Sequence, residues 1–258
     1  MPGLAHIAST RMYNVAPGAA AAWRRLLARA SRDARVPLTV VDHPHPATLA
    51  ELWGRPDLAC AFMCGWPLAQ EGRTRPVVAA PAQPYHSVFV VAAGSPFHSV
   101  EDTFGGRFAF NSRGSHSGWN MPAAHLAGLG GWYSSVVGPF GPHQLAAAAV
   151  AQGQADVAAI DSLVWALLRR HDPALAGQLR AVGRTGDQPS PPLVGGPALL
   201  PGVQARLSRA LLGLSGDTDG QALLDDVCVP GFRGASLAEY GATRALEAKA
   251  ARFCVPQA

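Results

Sequence analysis

The segment Phe108–Pro122, F-A-F-N-S-R-G-S-H-S-G-W-N-M-P, concentrates small hydroxyl side chains where backbone donors lack partners. An apolar strand runs into a Gly/Ser loop and then a helix, so Ser115, Ser117 and Gly118 fall at a helix N-terminus. The first N–H groups of a helix have no intrahelical acceptor, and its dipole adds positive potential there, a combination suited to an oxyanion. The hydroxyls add donors without a full charge. The competing reading is a plain serine N-cap, and the residues by themselves leave both open.

Other chemistry-bearing residues are sparser. Thr10, Met12 and Tyr13 follow the first strand, where open α/β sheets place ligand contacts; a solvent-facing loop tyrosine is the alternative for Tyr13. Asp161 ends an apolar run and precedes a helix, the position of an N-cap. His43 and His45 lie two apart in a loop, a poor metal pattern without a third ligand, and are expected at the surface. Cys60, Cys64, Cys228 and Cys254 form neither a C-x-x-C pair nor a Cys/His zinc spacing, so no structural metal is expected. Cys60 and Cys64 read as buried hydrophobes; Cys228 and Cys254 are free to pair in an oxidising compartment.

The elements that must position these residues follow from periodicity. Leu4–Ser9 reads as a strand, Gly18–Ala30 as an amphipathic helix opened by Pro17, Pro37–Val41 as a strand, Ala47–Trp53 as a short helix and Leu58–Met63 as a buried strand. That alternation is the signature of a parallel sheet with crossovers. Further on come a strand at His86–Ala93, a short helix at Ser99–Phe104, a strand at Arg107–Asn111 and a helix from about Gly118 to Leu126. A helix within Phe140–Gln152, a strand at Asp156–Ile160 and a helix at Leu163–Arg170 follow. Leu179–Val182 leads into an irregular stretch, and helices run from Pro201, over Gln221–Val227 and over Ala238–Phe253. The expectation is an α/β fold of two lobes, residues 1–86 with 190–258 and residues 87–189, joined by two crossing segments with a cleft between the lobes.

Composition bounds the class. Hydrophobic residues make up 48% and charged residues 15% of the 258, which argues for a packed globule over disorder. The net charge is +4, but the basic residues are scattered with no run that would track a nucleic-acid backbone. No apolar stretch reaches the roughly 20 residues needed to span a bilayer. No basic-then-apolar leader is visible at Met1–Tyr13, which points either to a mature or trimmed chain that acts outside the cytoplasmic membrane or to a cytoplasmic one.

The run S-H-S-G at Ser115–Gly118, with Pro122 close behind, resembles the S-T-S-G…P loop of the phosphate/phosphonate-type substrate-binding proteins of ABC transporters, which have the type II periplasmic binding fold. Ala61–Ala69, Tyr85-His86-Ser87, the run Gly153–Ser162 and Gln188–Pro192 resemble further family segments in the family's order. The resemblance implies that Ser115, His116, Ser117 and Gly118 hold the oxyanion, His116 standing where the family has Thr. It implies donors from Tyr85 and His86 and contacts at Asp161 and Ser162, the carboxylate accepting from a protonated oxygen or an amine of the ligand. Trp66 and Trp119 flank two of these segments, each as pocket wall or as core.

No nucleophile elbow, Walker loop, H-E-x-x-H or dinucleotide fingerprint is present. Ser117, His116 and Asp161 include the residue types of a triad, but His116 adjoins both serines, an awkward base geometry. The expectation is therefore a monomeric binder of phosphate, phosphite or a phosphonate, without cofactor, metal or nucleic acid, serving an ABC permease. The alternatives are a cytoplasmic enzyme of the same fold acting on a small carboxylate, resembling menaquinone-biosynthesis enzymes, or a stand-alone metabolite sensor.

Overall fold

The computed structural model describes residues 6–44, 47–71 and 75–251. Leu4, Ala5, His45, Cys254 and the last residues of the expected C-terminal helix lie outside them. The fold is mixed α/β, and the chain divides into two compact units, Met1–Gln83 with Pro189–Tyr240 and Pro84–Gln188 with Gly241–Ala258.

In the first unit, β1 (His6–Ser9), β2 (Leu38–Val40) and β3 (Leu58–Phe62) run parallel, β1 lying between the other two. The order across the sheet is β11-β4-β10-β3-β1-β2, with β4 (Val77–Pro81), β10 (Leu193–Val194) and β11 (Phe232–Arg233) completing it. β10 is antiparallel to both β3 and β4, so the returning chain closes a sheet begun by the N-terminal third. All five residues of β3 are buried, as expected of a strand covered on both faces.

The helix α1 (Pro17–Ala34) starts with Pro at its first position, where a missing N–H costs nothing. Its buried stripe is Ala19, Ala22, Trp23, Leu26, Leu27, Ala30 and Ala34. The outer arginines Arg24, Arg25 and Arg29 pair with Asp42, Asp226 and Asp33/Asp217. The short α2 (Leu49–Trp53) depends on a capping box, Thr48 Oγ1 accepting from Glu51 N–H while the Glu51 carboxylate accepts from Thr48 N–H. α3 (Gly65–Glu71) follows β3, and its Pro67 sits in the first turn, where proline is tolerated.

The second unit holds the sheet β7-β6-β8-β5-β9. β6 (Arg107–Ala109) pairs in parallel with β7 (Ser135–Val137) and β8 (Val157–Asp161). β5 (Ser87–Ala92) runs antiparallel to β8 and to β9 (Leu179–Arg184). Its helices are α4 (Met121–Leu129), α5 (His143–Ala151), α6 (Ser162–His171) and the single turn α7 (Pro173–Ala176). Phe89, Val91, Phe108, Phe110, Leu126, Tyr133 and Val157 form its core, with Phe108 stacked on Tyr133 at 4.8 Å between ring centroids. The first unit receives α8 (Pro201–Leu212) and α9 (Thr218–Asp226) from the C-terminal part of the chain.

The last helix departs from the sequence expectation. Residues 190–258 were expected in the first lobe, but α10 (Thr243–Ala251) packs on α4 and groups with the second unit from Gly241 on. The cause lies in α4, whose Met121, Pro122, Ala123, Ala124 and Leu126 are all buried. A helix apolar on every side needs cover on the face turned away from its sheet. Phe108→Ala should cost about 3–5 kcal/mol, because it deletes the ring at the centre of the second core. Urea unfolding followed by circular dichroism checks this, and a loss under about 1 kcal/mol would place that core elsewhere.

Candidate functional site

Three parallel strands of the second unit end at the same edge, and each is followed by a helix start. β6 leads through Asn111 to a π-helical turn at His116–Asn120 and on into α4. β7 leads to His143 at the first position of α5, and β8 leads directly from Asp161 into α6. The antiparallel β5 begins at this edge, with Ser87 in register with Asp161. Tyr85 and His86 immediately precede it. Sequence-distant polar residues are thereby collected at the C-terminal ends of parallel strands, the usual location of ligand sites in open α/β sheets.

Hydrogen bonds hold the collection together. The Ser115 hydroxyl caps the helix start, accepting from Gly118 N–H at 3.0 Å. Ser117 Oγ lies 3.0 Å from His143 Nε2, and the Ser117 carbonyl accepts from the Ser87 hydroxyl at 2.7 Å. Ser87 N–H in turn donates to Thr185 Oγ1 at 3.0 Å. The His116 ring is stacked on Tyr85, 6.2 Å between centroids with 17° between planes. His86 N–H donates to Ser162 Oγ at 3.3 Å, and Ser162 N–H donates back to the His86 carbonyl at 3.0 Å. The Asp161 carboxylate accepts from Leu163 N–H at 2.8 Å and Val164 N–H at 3.2 Å, so it is the N-cap of α6.

Gly118 is required by close approach rather than by a left-handed backbone. A Cβ built there would lie 1.8 Å from Asn111 Oδ1 and 3.1 Å from His143 Cε1. Three elements meet at that point, and only a residue without a side chain lets them.

Burial sets the electrostatics. The His116 and His143 rings are both pushed down from 6.5 to about 4, chiefly because burial penalises the charged form. His86 is lowered first by burial and then by Arg184, against the opposing pull of Asp187. Two buried neutral imidazoles and several hydroxyls therefore line this edge. Arg113 lies over the Trp119 ring at 3.7 Å and near Phe110 at 4.9 Å, a cation–π roof on the loop before Ser115.

Of the residues singled out from sequence, Ser115, His116, Ser117, Gly118, Tyr85, His86, Asp161 and Ser162 come together in the second unit. Thr10, Tyr13 and Trp66 belong to the first unit. The Thr10 hydroxyl donates to Asn14 Oδ1 at 2.9 Å. Tyr13 is 1% exposed and packs edge-on against Phe62 at 4.6 Å, which overturns the solvent-facing alternative. Trp66 follows β3 near the start of α3, and its indole N–H is buried with no acceptor among the described residues. Trp119 packs against the second core. Arg11 is spent on the Ala47 carbonyl, and His43 contacts the Thr48 carbonyl at 2.7 Å. Cys60 and Cys64 are buried, and burial pushes the Cys60 thiol up to about 12. Among the described residues no group of three potential metal ligands occurs.

Sequence reasoning gives no role to Asn111 and Asn120, reads His143 as an isolated loop or helix residue, and has Ser87 only as the end of the family-like run Tyr85-His86-Ser87. His143 had a usable signal, since it opens a helix after Gly-Pro just as Ser162 opens one after β8. The strand before it, β7, shows no periodicity, so nothing in the sequence marks His143 as lying at a strand end.

Two predictions follow from the buried rings and the tight glycine. Both histidines are neutral when folded, so between pH 6.5 and 4 the unfolded chain binds more protons than the native one. Stability is greatest above that window and falls as pH drops through it, by a slope approaching about one proton per ring. Urea unfolding at a series of pH values checks this, and a flat profile from pH 7 to 4 would contradict it. Gly118→Ala should destabilise by about 1–3 kcal/mol through overpacking against Asn111, read as a lowered melting temperature; an unchanged one would show that the contact yields.

Residues 15–240 match the family described as ABC transporter, phosphonate, periplasmic substrate-binding protein. No curated protein sequence matches the chain. Among solved structures it is similar to a binding protein component of an ABC phosphonate transporter from Pseudomonas aeruginosa, with 18% identity and TM-score 0.81 over 96% of this chain and 86% of that one. It is also similar to PhnD1 from Prochlorococcus marinus in complex with methylphosphonate, with 20% identity and TM-score 0.80 over 98% and 100% of the two chains. MatC from Rhodopseudomonas palustris with bound malate is a more distant match, with 14% identity and TM-score 0.66 over 98% of each chain. At these identities the structural likenesses establish the type II periplasmic binding fold. The sequence match over most of the chain goes further: the protein belongs to the phosphonate-type periplasmic substrate-binding proteins of ABC transporters.

Proposed function

We propose that the strand-end edge of the second unit binds a small oxyanion, an alkylphosphonate, phosphite or phosphate, and that the protein delivers it to a membrane permease without transforming it. The observation that carries this reading is the convergence of the Ser115–Gly118 helix start with Tyr85-His86-Ser87 and Asp161-Ser162. Helix-start amides and hydroxyls supply donors, and no lysine or arginine is needed to neutralise the guest. Asp161 adds discrimination: beside an anion it favours a ligand that carries a proton or an amine over a fully ionised one such as sulfate.

Family membership supports capture of a small ligand and hand-over to a permease, and the bound methylphosphonate of the Prochlorococcus relative supports the choice of anion. The malate complex shows that this architecture also takes carboxylates, so the choice has to be tested rather than carried over. Among the described residues no helix is long and apolar enough to cross a membrane. We place the protein on the outer side of the cytoplasmic membrane, where such a hand-over occurs.

Calorimetry against methylphosphonate, phosphite, phosphate, sulfate and malate tests the reading. Micromolar or tighter binding of one of the first three, with none of sulfate, is expected. Selective heat with malate alone would overturn it. Ser117→Ala should weaken binding by about 1–3 kcal/mol through loss of a charge-assisted hydrogen bond; unchanged affinity would move the site away from this loop.

A further inference from the structure

His116 is fully buried in the ligand loop, and its two ring nitrogens have different surroundings. Nδ1 faces the side-chain amide of Asn120 at 3.2 Å. That same amide nitrogen lies 3.4 Å from the backbone carbonyl of Thr243. A carbonyl can only accept, so the group facing it is the NH2 rather than the amide oxygen. Its second hydrogen then points at Nδ1, which must be the unprotonated nitrogen. The proton of the neutral ring is left on Nε2, which is buried and meets no acceptor among the described residues. A buried N–H without an acceptor is uncommon in folded proteins unless something else fills the position.

We infer that Asn120, oriented by the Thr243 carbonyl, fixes His116 as a neutral imidazole protonated on Nε2, and that this N–H donates to an oxygen of the bound oxyanion. The inference rests on the oxyanion reading and deepens it. The ring is a donor of fixed direction with no positive charge, so it recognises an acceptor oxygen without rewarding a higher anionic charge. Stacking on Tyr85 fixes the plane of the ring, and the amide fixes its rotation. Asn120 is thus a positioning residue acting through His116, and Thr243, the first residue of α10, is the anchor that orients it. Burial acts in the same direction, holding the ring neutral down to about pH 4.

Nitrogen-15 NMR of the histidine rings tests the tautomer directly in the wild-type protein, with and without methylphosphonate. The expected result is a protonated Nε2 and an unprotonated Nδ1 on His116, with the Nε2–H resonance shifting on addition of ligand. Asn120→Asp, which accepts where Asn120 donates, should move a proton onto Nδ1. His116→Phe, which keeps the stacked ring, should weaken methylphosphonate binding about tenfold to hundredfold. His116→Gln, whose amide restores a donor, should recover about tenfold of that loss. A proton on Nδ1 in the wild type overturns the tautomer assignment. An Nε2–H signal indifferent to bound ligand, or a folded His116→Phe protein with wild-type affinity, overturns the donor role. A wild-type protein that binds no oxyanion of the panel sinks the underlying reading and the donor role together, while the ring nitrogens still report whether Asn120 sets the tautomer.

Discussion

The second unit is organised around a constraint of the polypeptide backbone: a helix cannot satisfy its own first amides. Where a parallel strand passes straight into a helix, those amides open at the strand's C-terminal end, and something must accept from them. At α6 the acceptor is Asp161, and at the turn before α4 it is Ser115, each supplied by the chain itself. The remaining donor potential, helix dipoles included, is concentrated at one edge of one sheet. Such an edge is suited to an anion, which can take the role that solvent otherwise plays. The arrangement of strands, the tight glycine and the buried rings keep that edge polar and crowded.

Burial makes neutral groups sufficient. Taking a histidine out of water discourages its charge, so His116 and His143 work as directional hydrogen-bonding groups rather than cations. The Arg113 guanidinium on the loop before Ser115 is held on the faces of Trp119 and Phe110. A site of fixed dipoles demands accurate placement, because each donor contributes only if its direction is right. The dense network from Thr185 through Ser87 to Ser117 and His143, and from Thr243 through Asn120 to His116, supplies that placement.

The two units differ in how they close. The first completes its sheet with short strands, β10 and β11, that return from the C-terminal part of the chain. The second covers a helix that is apolar all round with α10, taken from the end of the sequence. Both devices join segments far apart in the chain. Tyr85 and Gln188 mark the same economy on a smaller scale, since the two connecting segments exchange hydrogen bonds there at 3.3 and 2.7 Å.

By itself the sequence determined the α/β class, the longer elements and the helix-start loop. Periodicity over α1, continuous apolar runs in β3 and β5, and serines framed by glycine at Ser115–Gly118 are local signals, carried by neighbouring residues. Asp161 as a cap was equally legible, because a cap is defined by the residues on either side of it. Tertiary structure alone decided which distant groups meet. His143 at Ser117, Ser87 opposite Asp161 and Thr243 behind Asn120 are contacts between segments tens of residues apart. The short strands β7 and β10 are equally silent in sequence, showing no period of their own. Their existence depends on neighbours that pair with them, and those neighbours are fixed only when the sheet has formed.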